Sequence, residues 1–551
     1  MNLSREISRR LWYTVTKIAP AFILVTWVAI LFAPTATFDF VNFDDDHYVY
    51  ENPYIADGLT WSAVYWAFTS FHSANYHPIT WLSHMADISM WGYWAGGHHL
   101  CNVVWHALGA VFLFLFLRRL TEHTGLSFCI ALLFAIHPLR VESVAWVAER
   151  KDVLSGALGF ASLWAYMRYA AGGRFVWLTL SFLLFGIGLL AKPTLVMLPF
   201  ALLLVDFAVA TRQAAPPSFL GFWARRIVEK APFAALSLAA AYATIHAQEN
   251  ALVPIDTLPF SARVQNAAWA TVAYLGKIVM PICLYVPYPL RVPDQPVWHT
   301  VVYALGWIIS VASALYVRRK NPWFLMGILW YWLFLIPVLG IVQVGNQSMA
   351  DRYTYLPSVG VFLAAVCAVG NAAEKRRNVR IVLPPLFLAV AIIFSVLTWR
   401  QLQYWKDSES LFTHALACDE ENSVAHNNLG KAVEQEGRLE EAQHHFERAV
   451  QIAPTNGEAW FNLGTVYLRR GKYSLAAQIF ENLHRMRPDD SETLFLLAQS
   501  YLRMNAMDKA FRYAKMLSRQ PKYRRQAYWL LEQIAGWHGY KRKTTSAKTA
   551  Q

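Results

Sequence analysis

At 551 residues, 56% of them hydrophobic and 23 of them Trp, the chain is too apolar for a soluble enzyme of that size. Its formal charge of +13 does not point to nucleic acid, because in a chain whose apolar runs can cross about 30 Å of hydrocarbon the Lys and Arg excess gathers in cytoplasmic loops. The five cysteines, Cys101, Cys129, Cys283, Cys367 and Cys418, show no close pair and no metal-type spacing, and read as small core residues.

The first apolar run, 16–34, has the length of a span and no small-residue cleavage site, so it reads as an uncleaved helix with the N-terminus in the cytoplasm. Just beyond it comes Phe43-Asp44-Asp45-Asp46-His47-Tyr48. Three adjacent carboxylates at the mouth of a span are expensive, and chemistry or ion binding is their simplest justification. Further spans are expected at 99–117, 126–145, 153–171, 175–191, 194–211, 231–247, 298–317, 323–343, 356–373 and 380–399, about eleven in all. That alternation puts Arg5, Arg9, Arg10, Lys17, Arg212, Arg318-Arg319-Lys320 and Lys375-Arg376-Arg377 inside and leaves fewer basic residues outside, as the positive-inside rule requires. The run 264–284 would break the alternation if it spanned, so it is assigned to the outer side as a re-entrant or interfacial helix.

After Trp399 the composition turns charged and helix-forming. Leu429-Gly430, Leu463-Gly464 and Leu497-Ala498 recur at 34 residues, as do Ala442, Ala476 and Ala510, then Phe446 and Phe480. This is the tetratricopeptide pattern, an α-solenoid of stacked helix pairs. Phe412 and Ala415 mark an incomplete leading repeat. The reading is therefore all-α: a polytopic helical membrane domain over 1–400, repeats over 401–538, and a polar, basic, disordered tail over 539–551. An odd number of spans places the repeats outside with the acidic triplet.

Taken together, Asn42 to Pro53, Tyr76-His77-Pro78-Ile79, His99-Leu100-Cys101-Asn102, His106, His137-Pro138, Glu142, Glu149-Arg150-Lys151-Asp152 and Ala350-Asp351-Arg352-Tyr353 make the chain resemble the transmembrane and tetratricopeptide-repeat O-mannosyltransferases and their bacterial relatives. The resemblance implies a GT-C-like glycosyltransferase that takes a sugar, mannose or another hexose, from a polyprenyl-phosphate carrier, with an acidic residue of the first outer loop at work. It also implies a bacterial inner membrane, a periplasmic first loop and periplasmic repeats, and an exported acceptor protein held by the repeats. Two positions depart from the family: Phe43 where many relatives carry Trp, and His77 where eukaryotic members carry Arg.

Sugar transfer from a lipid phosphate needs a base for the attacking hydroxyl and cations for the departing phosphate. Adjacent carboxylates raise one another's pKa, so one member of the triplet is a candidate base while a neighbour binds a hydroxyl or cation; the resemblance favours Asp44 or Asp45 as the catalytic residue and leaves Asp46 as a substrate ligand. Arg150, Lys151, Lys192 and Arg352, each near the outer end of an expected span, are candidate phosphate holders, with Glu149 among them and His77 as a further substrate contact. His99, Asn102 and His106 share one face of the second span, as a polar seam or as donor or acceptor contacts. Two histidines two turns apart chelate poorly, so no metal ligand is assigned, a divalent cation is not favoured, and the lipid-linked sugar is a co-substrate. A transporter would show polar midplane residues and repeated halves, which the sequence lacks. The competing readings are a scaffold acting through its repeats alone, for which the triplet is dispensable, and a transferase with a glycan or lipid acceptor.

Overall fold

The computed structural model describes residues 18–210, 219–254, 257–291 and 297–548. Arg5, Arg9, Arg10, Lys17 and Arg212, used above for orientation, lie outside the described residues. The chain separates into two compact units, 1–411 and 412–551. The boundary falls after the expected 400 because the segment following the last long helix is tied to the first loop: Asp39 N–H donates to the Lys406 carbonyl (2.9 Å) and Asn42 N–H to Ser408 Oγ (2.8 Å).

In the first unit a helix underlies each expected span, but 126–145 breaks into two helices and 323–343 stays helical only to Val338. Among the described residues six helices are long and apolar enough to cross a membrane: Ile18–Thr37, Ala95–Thr121, Pro193–Ala210, Trp298–Val317, Pro357–Lys375 and Arg377–Gln403. A bent pair, Thr124–Ile136 with Pro138–Ala145, makes a seventh if it counts as one span. The expected eleven are not reached on length and composition, because Phe175–Ala191 and Pro322–Val338 are short and no span-length stretch of Arg150–Gly172 or Phe219–Ala247 is apolar enough. The chain is a helical membrane protein. The 59° bend arises at His137-Pro138, where Pro prevents continuation and His137 Nδ1 accepts from Leu139 N–H.

Close helix crossing is set by glycine where it is closest. A Cβ on Gly327 would lie 2.3 Å from the Gly360 carbonyl oxygen, and one on Gly360 would lie as close to the Gly327 carbonyl, so helices Pro322–Leu335 and Pro357–Lys375 meet backbone to backbone. The segment assigned to the interface forms helix Phe260–Val279, which packs through Tyr274 and Asn266 against the turn before Asp351. The two-stranded sheet, Tyr288–Pro289 antiparallel to Gln347–Met349 with Tyr288 opposite Met349, holds that turn from the other side.

The second unit realises the 34-residue period. Asn422, Asn456 and Asp490 cap the first helix of successive pairs by accepting from backbone N–H groups. Gly437, Gly471 and Asn505, also 34 apart, take positive φ (+82°, +76° and +56°) in the turn within each pair. A Cβ on Gly430 or Gly464 would sit 2.7 or 2.9 Å from Phe446 or Phe480, the close approach that the small residues permit. The last helix is Arg524–Lys548.

Candidate active site

The site grows from the first loop. Asp44 adopts φ +66°, the left-handed region that Asp tolerates better than most residues, and this turns it out of line with its neighbours. Asp45 points the opposite way and is fully buried. Its Oδ1 accepts from Ala148 N–H (2.7 Å) and its Oδ2 from Val41 N–H (3.0 Å), so it staples the loop to the turn 146–149. Trp146 reinforces the joint, stacking on Phe43 at 4.8 Å and donating Nε1–H to the Phe43 carbonyl (2.7 Å). Asp46 begins the tight turn Asp46–Tyr50 and accepts from His47 N–H (2.9 Å).

Burial pushes the Asp45 carboxyl up to about 8, against the two N–H donors that favour its charged form. Asp44 reaches solvent while being crowded by protein on most sides. Desolvation raises its pKa, Lys151 and Arg352 oppose the rise, and its accessible surface moderates it. Among the triplet it is Asp44 that combines access with a raised pKa.

Opposite Asp44 stands a charge cluster centred on Glu149. Lys192 pairs with Glu149 and with Asp152 Oδ1 (2.6 Å), Lys151 Nζ lies 3.2 Å from Glu149 Oε2, and Arg352 Nε lies 3.6 Å from the same oxygen. Arg352 also pairs with Glu142, whose Oε2 accepts the Arg352 backbone N–H (2.7 Å), and it lies over Trp146 at 5.2 Å. Lys151 lies over Tyr48 at 4.5 Å. Burial alone would neutralise Glu149, but Lys151, Lys192 and Arg352 hold its carboxyl well below the usual range. Removing one partner from such a buried network costs about 3–5 kcal/mol, because it strands a charge. His77 is buried beside Lys151 and Lys192; burial and both ammonium groups keep it neutral, and its Nδ1 finds no hydrogen-bond partner.

The structure thus brings together Asp44, His77, Glu149, Lys151, Lys192 and Arg352. Arg150 is not among them. Its guanidinium is fully buried on the other side of the helix start, donating to Asn102 Oδ1 (2.5 Å), Ser83 Oγ (3.0 Å) and the His98 carbonyl (2.7 Å) and pairing with Asp87 (2.5 Å). Asn102 donates to the Val144 and Trp146 carbonyls, His106 joins Tyr355 Oη and the Ala135 carbonyl, and His99 faces the Asp39 carbonyl. These three form the polar seam. Sequence reasoning passed over Glu142, Asp152 and Tyr48 as site residues. The acidic spacing Glu142, Glu149, Asp152 was visible, but a pairing with Arg352, 210 residues away, was not.

The family model described as dolichyl-phosphate-mannose-protein mannosyltransferase matches residues 88–224, which include Glu142, Glu149, Lys151, Asp152 and Lys192. Tetratricopeptide repeat models match 421–489 and 467–534. A Caenorhabditis elegans protein O-mannosyl-transferase is 24% identical over 76% of this chain and 60% of its own length. The human protein O-mannosyl-transferases TMTC1 and TMTC3 are 23% and 22% identical, each over 69% of this chain and over 48% and 45% of their own lengths. The chain is a relative of the TMTC-type O-mannosyl-transferases. It spans about half the length of the human relatives. Asp44 and Arg352 lie outside the segment matched by the mannosyltransferase model, so the charge cluster around Glu149 draws on residues from both sides of that segment.

Proposed function

We propose that this protein is a membrane glycosyltransferase that moves mannose or another hexose from a polyprenyl-phosphate donor to a Ser or Thr hydroxyl of an exported protein, in a bacterial inner membrane with the first loop and the repeats on the periplasmic side. The observation that carries the reading is the accessible carboxylate of Asp44 in the field of Lys151 and Arg352, which together with Lys192 surround Glu149. Asp44 takes the proton of the acceptor hydroxyl as its oxygen attacks the anomeric carbon, and the bond from that carbon to the carrier phosphate breaks. The phosphate leaves with the bonding electrons, and Lys151, Lys192 and Arg352 receive its charge. Because Glu149 is held ionised by the three cations, the cluster carries a modest net charge at rest, and the incoming phosphate competes for cations already in place. Asp45 acts as a positioning residue, and the repeats present the acceptor.

The test is intact-mass and peptide mass spectrometry of exported proteins from cells with and without the gene. Hexose missing from defined Ser or Thr sites in the deletion supports the reading. Unchanged protein glycosylation accompanied by an altered glycan or lipid would move the acceptor class, and no change in any glycoconjugate would favour the scaffold.

A further inference from the structure

Behind the acid and base cluster, His84, Asp87 and His98 converge, each buried, with one ligand-capable atom from each within 4.8 Å of the others. His84 and Asp87 lie three apart on helix Pro78–Trp91, hence on one face, and His98 lies in the first turn of Ala95–Thr121. The turn between the two helices fixes the ring of His98: its Nε2 meets the Gly92 carbonyl at 2.9 Å, where Gly92 has φ +58°. A carbonyl there requires Nε2 to carry the hydrogen, so the Nδ1 lone pair faces Asp87 Oδ2 at 3.4 Å. Lone pair and carboxylate repel unless something positive lies between them. Neither ring nitrogen of His84 has a hydrogen-bond partner, although the side chain is fully buried.

We propose that His84, Asp87 and His98 form a three-ligand site for a divalent transition ion of the zinc class, with water in its fourth position. Two imidazole nitrogens and one carboxylate oxygen are a zinc donor set, and a ligand histidine whose other nitrogen donates to a backbone carbonyl is the usual outer arrangement. Zinc ligands at 2.0–2.2 Å stand roughly 3.4 Å apart in a tetrahedron, the separation His98 Nδ1 and Asp87 Oδ2 already have, so only a small side-chain shift closes the site. Asp87 can bind the ion and stay paired with Arg150, whose Nη2 lies 2.5 Å from Oδ2. The ion clips the first-loop helix to the second span and, through Asp87, fixes Arg150 one residue before Lys151. The site stands apart from the transfer chemistry, and the proposal does not depend on it.

The full chain, purified in detergent, stripped with chelator, reloaded with zinc and desalted, should retain one zinc per chain by elemental mass spectrometry. His84→Ala and His98→Ala should each lower retention at least tenfold, while His246→Ala, an exposed histidine, should not. Cobalt(II) in the unmodified protein gives a second readout free of any folding defect in the variants: intense visible bands of a four-coordinate ion are expected. Retention of no zinc by the unmodified protein, equal retention by His84→Ala, or only the weak bands of six-coordinate cobalt would each overturn the site.

Discussion

Asp45 and Asp44 are neighbours with opposite duties. Asp45 is fully buried and receives two backbone N–H donors, so an amide in its place must turn an NH2 group toward one of them and leaves that donor unpaired. Asp45→Asn should therefore destabilise the protein by about 1–3 kcal/mol, read as a lower melting temperature and lower membrane abundance. An unchanged melting temperature would remove its positioning role. Asp44 leaves a kinetic signature instead. A base works only when ionised, and burial raises the Asp44 pKa, so the transfer rate should climb with pH through a value above 3.8, the ordinary carboxyl value. A rate independent of pH from 4 to 8 would contradict this. The triplet was legible in the sequence because three carboxylates beside a span are conspicuous. Which one faces solvent was not, since a left-handed turn at Asp44 has no signature without glycine. Arg150 read as a phosphate holder for the same reason: its charge was visible, but its partner Asp87 was not.

At the scale of elements, periodicity carried most of the information. The repeats were legible to the residue, because a period of 34 fixes caps, turn positions and small residues at once, and Gly430, Gly464, Phe446 and Phe480 stand where it demands. Gly464→Leu should drive a side chain into Phe480 and cost about 1–3 kcal/mol, seen as faster limited proteolysis within 457–487. Unaltered cleavage would mean that the helices of the pair tolerate separation. The spans were less legible. Helix Arg150–Gly172 opens with Arg150, Lys151 and Asp152 because those charges find partners on other elements, and hydropathy alone cannot separate such a helix from a surface one.

For the whole molecule the untested element is sidedness. The alternation read from the sequence puts Asp57, Ser348 and Asn456 on the non-cytoplasmic side. Single cysteines at these positions, on a background lacking the native five, should all react with an impermeant maleimide added from that side. Labelling of Asn456→Cys from the cytoplasm would give the protein an even number of spans. An acceptor held by the repeats would then face away from the first loop.

The account rests on Asp44 as the proton acceptor beside a cluster that receives phosphate. The most direct test is the initial rate of hexose transfer from a polyprenyl-phosphate donor to a Ser or Thr peptide by purified Asp44→Asn, measured beside its melting temperature. Loss of general-base help predicts a fall of about 10²- to 10⁴-fold with little change in stability. A near-normal rate from a correctly folded Asp44→Asn protein would contradict it.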